Sequence, residues 1–250
     1  FIAVVTYGLY WGVNMFPLAL LNPSAPAVDP ASLTLALLHF DGADGSTTFT
    51  DSSANNVAIT TVSTAQLSTT IKQFGSASLY LPANTACATV PVTTANFAGQ
   101  DFCIELWVYP VTKELYGNII GHSGASSSTD GFALQWASTP TNTVRFLSGY
   151  LGSGVWTLDQ TSVLTVALNT WTHIAVTREG QILRVFINGV IAISINSAAT
   201  LWYEQGSGTF NIGAGYGNNR FGVGYIDEFR IRKEAVYTGN FIPPTAPFTF

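Results

Sequence analysis

The stretch DFCIELWVYP, residues 101–110, sets Phe102, Ile104, Leu106 and Val108 on one side and Cys103, Glu105, Trp107 and Tyr109 on the other. Successive side chains of a strand point to opposite faces, so this period of two marks a strand with one buried face. The same signature recurs in LTLALLHF (33–40), GSASLYL (75–81), ATVPV (88–92), NIIGH (118–122), GFALQWA (131–137) and TVRFLSG (143–149). It continues in TWTHIAVTRE (170–179), ILRVFING (182–189), VIAISIN (190–196), GTFNIGAG (208–215) and GYIDEFRIR (224–232). Asn188-Gly189 joins two of these runs, and Asn-Gly is the residue pair a tight hairpin favours because both central positions need positive φ. After residue 30 no window has apolar residues at helical spacing. Many short strands separated by Gly, Ser, Asn and Thr loops predict an all-β antiparallel sandwich or barrel.

Charged residues are only 9% of the 250, against about 25% in an average soluble domain, so Ser, Thr, Asn, Gln and Gly must supply most of the polar surface. The net charge is −5, and no Lys/Arg stripe exists to neutralise phosphates. Arg230, Arg232 and Lys233 are interrupted by Glu228 and Glu234. A nucleic-acid partner is therefore excluded. Cys87 and Cys103 are too few for a disulfide framework; they read as two buried thiols or one bridge between neighbouring strands. The stretch NPSAPAVDPAS (22–32) reads as a linker. It divides an apolar N-terminal arm and linker, residues 1–30, from a β domain, residues 31–250.

Five motifs in order resemble the laminin-G-like, concanavalin A-like jelly-roll family, in the form found in phage virion structural proteins. They are LLHFDGADGSTTFTDSS (37–53), KQFGSASLYL (72–81), FCIELWVYP (102–110), WTHIAVTREGQILRVFINGV (171–190) and GYIDEFRIRKEAVYTGNFIPPTAPF (224–248). The resemblance spans residues 33–248 and implies a two-sheet antiparallel jelly-roll sandwich preceded by an extended arm. Trp107 and Trp171 read as large anchors of the two-sheet core. His173 reads as a structural histidine, and Pro243-Pro244 as the start of an extended tail.

Glycosidases of this fold class carry paired carboxylates on one strand in a Glu-x-Asp-x-x-Glu arrangement, which this chain lacks. Asp101 and Glu105 are four apart with apolar residues between them; Asp227 and Glu228 are adjacent and, on a regular strand, face opposite ways. No Ser/His/Asp or Cys/His set is evident among His39, His122 and His173. The expectation is a protein without catalytic activity. The resemblance implies a structural calcium held by Asp41, Asp227 and a carbonyl near Gly75; otherwise Asp41 and Asp44 are turn formers beside Gly42 and Gly45. Sugar binding needs aromatic faces with amide and charged groups around them. The candidates are Trp136, Trp156, Trp202 and Tyr203, with Tyr216, Asn218, Asn219 and Arg220 of the loop GAGYGNNRFG (213–222).

The arm carries no charge before Asp29. Without Lys or Arg it lacks the basic start of an export signal, and Gly8, Gly12, Asn14 and Pro17 interrupt it as a membrane helix. Tyr7, Leu9, Trp11, Val13 and Met15 alternate with smaller or polar residues, which predicts a half-buried strand. Its expected partner is its own domain, another copy or another virion protein, through strand addition. The resulting expectation is a virion structural protein, capsid-decorating or tail-associated, with an outward module that binds host-surface glycan. The alternative is a bacterial surface adhesin or filament subunit.

Overall fold

The computed structural model describes residues 29–95, 97, 99–124, 131–139, 141–149, 156–196, 208–215 and 221–250. The described chain opens on a helical turn, α1 (Pro30–Leu33), capped by Asp29, whose Oδ1 accepts the N–H of Ala31 at 3.0 Å. The end of the expected linker is therefore a capped turn; Pro at its first position has no N–H to lose. Fifteen strands follow among the described residues: β1 (Thr34–Leu38), β2 (Thr60–Val62), β3 (Gln66–Ser68), β4 (Ser78–Leu81), β5 (Cys87–Pro91), β6 (Phe102–Pro110), β7 (Asn118–Gly124) and β8 (Gly131–Trp136). The others are β9 (Thr143–Gly149), β10 (Leu158–Thr165), β11 (Thr172–Glu179), β12 (Ile182–Ile187), β13 (Val190–Asn196), β14 (Gly208–Ile212) and β15 (Gly224–Arg232).

They form two antiparallel sheets. The first runs β13-β12-β11-β6-β15-β4-β3, with β1 beside the end of β15; the second runs β10-β9-β8-β7-β14-β5-β2. Ile104, Leu106 and Val108 of β6, Ile174 and Val176 of β11, and Phe132, Leu134, Phe146 and Phe210 of the opposite sheet fill the space between them. The jelly-roll sandwich is thus present, with the face of β6 read from alternation as its inner wall. Cys87 and Cys103 are buried thiols on different sheets and form no bridge with each other.

Three strands escaped the periodicity. β2 and β3 are three residues each. β10 has mostly exposed residues along its length, with Ser162 buried, so it carries no apolar alternation. Trp107 and Trp171 also depart from expectation. They join Leu37, Phe74 and Phe248 in a second apolar cluster on the outer side of the first sheet, away from the two-sheet core. Sequence alternation places them on that face, but only the tail explains why it is buried.

Candidate functional site

The outer face of the first sheet and one end of the second sheet concentrate the charged side chains. On the outer face, register sets Glu105 opposite Arg230 on β15 and Ala175 on β11, whose small side chain leaves room for His173 diagonally across. Glu105 Oε1 accepts from Arg230 Nε at 2.9 Å and from its Nη2; Oε2 accepts from Tyr237 Oη at 2.9 Å and bonds His173 Nε2 at 3.1 Å. Glu105 and His173 have no exposed surface. Burial alone would raise the Glu105 carboxyl, but the His173 hydrogen bond and the Arg230 charge hold it below its ordinary value. Burial and the Glu105 charge push the Tyr237 hydroxyl well above its usual range.

The C-terminal tail closes this face. Phe248 packs on Leu37 and Trp107, and Arg230 lies 4.9 Å from the Phe248 ring centre. The Phe248 N–H donates to Glu228 Oε2 at 2.7 Å, Thr177 Oγ1 donates to the Tyr237 carbonyl at 2.9 Å, and the Phe241 N–H donates to the Gly189 carbonyl at 2.9 Å. Asn188 and Gly189 adopt φ of 48° and 76°, the hairpin geometry expected of Asn-Gly. Gly189 has a second reason to lack a side chain: a Cβ there would stand 2.0 Å from the Phe241 carbonyl oxygen.

Asp227 and Glu228 contradict the opposite-face expectation. The pairing of β15 with β6 shifts between Asp227 and Arg230, and Glu228 has φ 52°. This bulge breaks the alternation. Ile226 and Phe229 enter the core, while Asp227 and Glu228 both bond groups outside it. Glu228 also takes His39 Nδ1 at 2.9 Å, which raises the His39 pKa over the opposing effect of burial.

Asp41, Asp227 and Gly75, expected at a calcium site, do meet around one loop. Asp227 Oδ2 accepts the N–H groups of Gln73 (2.8 Å) and Phe74 (3.1 Å), and its Oδ1 accepts that of Glu228 (2.9 Å). Asp41 Oδ1 accepts the N–H groups of Ser76 and of Ala77 (3.3 Å) and the Ser76 hydroxyl (2.9 Å). Gly75, at φ 58°, lets the backbone pass so close that a Cβ would lie 2.2 Å from Asp41 Oδ1. Both oxygens of Asp227 and Oδ1 of Asp41 thus accept hydrogen bonds that clamp the loop, and a calcium ion would have to compete with those N–H and O–H groups for them. Among the described residues no group of three or more His, Cys, Asp or Glu side chains is placed to hold an ion. Burial lifts the Asp227 carboxyl to about 7, against the lowering effect of the Phe74 and Gln73 N–H groups.

Of the residues expected to meet sugar, Trp202, Tyr203, Tyr216, Asn218, Asn219 and Arg220 lie outside the described residues, as do Tyr7, Leu9, Trp11, Val13 and Met15 of the arm. Trp156 is half-buried before β10. Trp136 is not the exposed platform expected. It is 2% exposed, belongs to the core, and donates from Nε1 to the Phe221 carbonyl at 2.7 Å. It lines a cleft with Lys113, whose Nζ lies over its ring 4.7 Å from the centre.

That cleft, about 210 Å³ in volume, is lined by Lys113, Glu114, Leu115, Trp136, Thr141 and Asn142, with Ala137 and Ser138 on its far side. Ala137 and Ser138 also line a neighbouring cleft of about 340 Å³, with Tyr116, Thr139, Arg145, Asp159 and Thr161. Both lie where the loop between β6 and β7 meets β8, β9 and β10. Tyr116 is 38% exposed and Leu115 65%. Tyr116 is held at φ 59°, an uncommon conformation for a bulky side chain, and Arg145 lies 6.0 Å from its ring centre. Arg145 Nε donates to Asp159 Oδ1 at 2.6 Å, with Nη2 on Oδ2, a two-point pair that presents a fixed array of donors and acceptors. The Arg145 hydrogen bond lowers the Asp159 pKa. Sequence reasoning missed Tyr116 because KELYG shows no alternation; the positive φ and the neighbouring strand ends become visible only in the fold.

Other aromatics cross the outer face of the first sheet: Tyr80 and Tyr225 stack at 4.7 Å, Tyr109 lies 6.0 Å from Tyr225, and Trp171 lies 5.5 Å from Tyr109. These rings spend their faces and edges on one another, whereas Tyr116 stands at an open cleft.

A family model described as the concanavalin A-like lectin/glucanases superfamily matches residues 82–237. No curated protein matches the chain. The binding domain of Paraclostridial Mosquitocidal Protein 1 is similar in structure, with a TM-score of 0.63, 16% identity and coverage of 84% of this chain and 51% of that one. Domain 4 of AbnA, a GH43 extracellular arabinanase from Geobacillus stearothermophilus, solved with arabinotriose, has a TM-score of 0.60 at 20% identity, over 82% of this chain and 94% of that domain. The botulinum neurotoxin serotype D ligand binding domain, solved with N-acetylneuraminic acid, has a TM-score of 0.61 at 12% identity, over 83% of this chain and 49% of that one. The chain therefore spans about half the length of these toxin domains and nearly all of the arabinanase domain. With most of its β domain matched by the family model and its two sheets arranged as expected, this chain belongs to the concanavalin A-like lectin/glucanase superfamily.

Proposed function

We propose that the chain is a non-catalytic carbohydrate-binding module that holds saccharide in the clefts beside Tyr116. One observation carries the reading: an exposed aromatic ring held in a left-handed conformation over an open cleft, beside the Arg145–Asp159 pair and the hydroxyl residues Ser138, Thr139 and Thr161. A sugar needs an apolar ring for its C–H face and directional donors and acceptors for its hydroxyls. The neighbours solved with arabinotriose and with N-acetylneuraminic acid give the reading a precedent on this fold. The engagement of the buried carboxylates supports the non-catalytic part of the reading. Glu105 is engaged by Arg230, His173 and Tyr237, while Asp227 and Glu228 bind N–H groups and His39.

The setting is a virion, with residues 1–30 docked on another copy or another structural protein and the module facing a host-surface glycan. This part rests on the motif resemblance and on the period-two arm; a bacterial surface filament is the alternative, and locating the protein in purified particles or filaments decides between them. The structural calcium likewise rests on the resemblance, and a melting temperature that rises with calcium over chelator supports it. For the cleft, a glycan array probed with the wild type and Tyr116→Ala tests the reading. Binding is expected for the wild type and its loss for the variant, at unchanged melting temperature. Equal signals from both proteins, or none from either, refute it.

A further inference from the structure

Lys113 is the cation of these clefts that the reading above does not use. Its ammonium donates to Asn142 Oδ1 at 3.2 Å and to the Val166 carbonyl. These two hydrogen bonds go to neutral acceptors, so neither neutralises the charge. Among the described residues no carboxylate pairs with it, whereas Arg145, the cation of the neighbouring cleft, is matched to Asp159. The ammonium itself lies over Trp136, 4.7 Å from the ring centre, a cation–π contact that supplies no counter-charge. We infer that the smaller cleft is an acidic-group subsite, in which Lys113 receives the carboxylate or sulfate of an anionic saccharide whose neutral part rests beside Tyr116.

The inference rests on the carbohydrate reading and deepens it. A cleft of about 210 Å³ is smaller than the usual ligand pocket and suits one sugar ring or its acidic substituent. The two clefts share Ala137 and Ser138, so one oligosaccharide reaches both. Burial without a compensating acid lowers the Lys113 pKa to about 8, so the ammonium stands desolvated and gains from any anion that approaches it. Glu114 on the rim is the competing charge. The buried cluster around Glu105 offers no comparable opening, because each of its charges already has its partner.

The test is calorimetry with three galactose-based trisaccharides: one carrying carboxylates, one carrying sulfates and one neutral. At least one acidic probe is expected to bind about ten-fold more tightly than the neutral one, the gain of a single charge-assisted hydrogen bond. The acidic probe that gains identifies the group. Lys113→Met, which keeps the apolar stem, should erase that preference, so that acidic and neutral probes bind the variant equally; Lys113→Arg should retain it, and Glu114→Gln should widen it. Equal affinity for all three probes, or a preference that survives Lys113→Met, overturns the subsite while leaving saccharide binding at Tyr116 intact. No binding of any probe by the wild type overturns the subsite; whether binding at Tyr116 fails with it is read separately from the array.

Discussion

The outer face of the first sheet and the clefts at the end of the second handle charge in opposite ways. On the outer face Glu105 meets Arg230, His173 and Tyr237, Glu228 meets His39, and the tail helps to bury Glu105, Glu228 and Arg230. In the clefts Arg145 and Asp159 pair in partial exposure, Lys113 has no acid among the described residues, and Tyr116 faces outward. A closed, compensated network stabilises one arrangement of the chain. An open, partly compensated one retains free energy for a ligand. The difference teaches where to look for function in a fold that many chains share.

The contrast predicts a ranking of mutational effects. Glu105→Ala should cost the most, about 3–5 kcal/mol in urea unfolding, because it strands the buried Arg230 and His173. Phe248→Ala should cost about 3 kcal/mol, since it empties the site between Trp107 and Leu37 and uncovers Arg230. Arg145→Ala, on the exposed pair, should cost about 0–1 kcal/mol. A larger loss at Arg145 than at Glu105 would reverse the assignment of stabilising and binding regions.

The outer face should also govern the pH profile. Asp227 titrates at about 7 in the folded chain, above the ordinary carboxyl value. Its contribution is complete below that ordinary value and is lost as pH rises through about 7. His39, raised by Glu228, has the same sign: its contribution is present below the usual histidine value and lost as pH rises through the folded one. Glu105, held low, contributes above its ordinary value and loses that contribution as pH falls through its folded one. Melting temperature should therefore peak in mild acid and fall towards both extremes. His39→Gln should flatten part of the alkaline decline, and an unchanged profile would sever that link.

Much of the fold was legible. Alternation in residues 101–110 named the inner wall of β6, and Asn188-Gly189 named its hairpin. Three edge strands were not: β2 and β3 are only three residues long, and β10 buries little and so carries no apolar period. The destination of Trp107 and Trp171 was hidden for a different reason. Alternation says which face a side chain occupies, but a tail residue far along the chain, Phe248, decides whether that face is wet. The candidate site was less legible still. Trp136 looked like a platform because tryptophan is both a core and a sugar-facing residue, and its hydrogen bond to Phe221 settles which role it takes. Tyr116 sits in a segment with no period, and its role depends on a positive φ and on strand ends that only the fold brings together.

Saccharide binding at Tyr116 is the central claim, and a glycan array read with wild type and Tyr116→Ala tests it most directly. The account predicts a wild-type signal that disappears in a variant melting at the same temperature. A signal that persists in Tyr116→Ala, or an array silent towards the wild type, would contradict it.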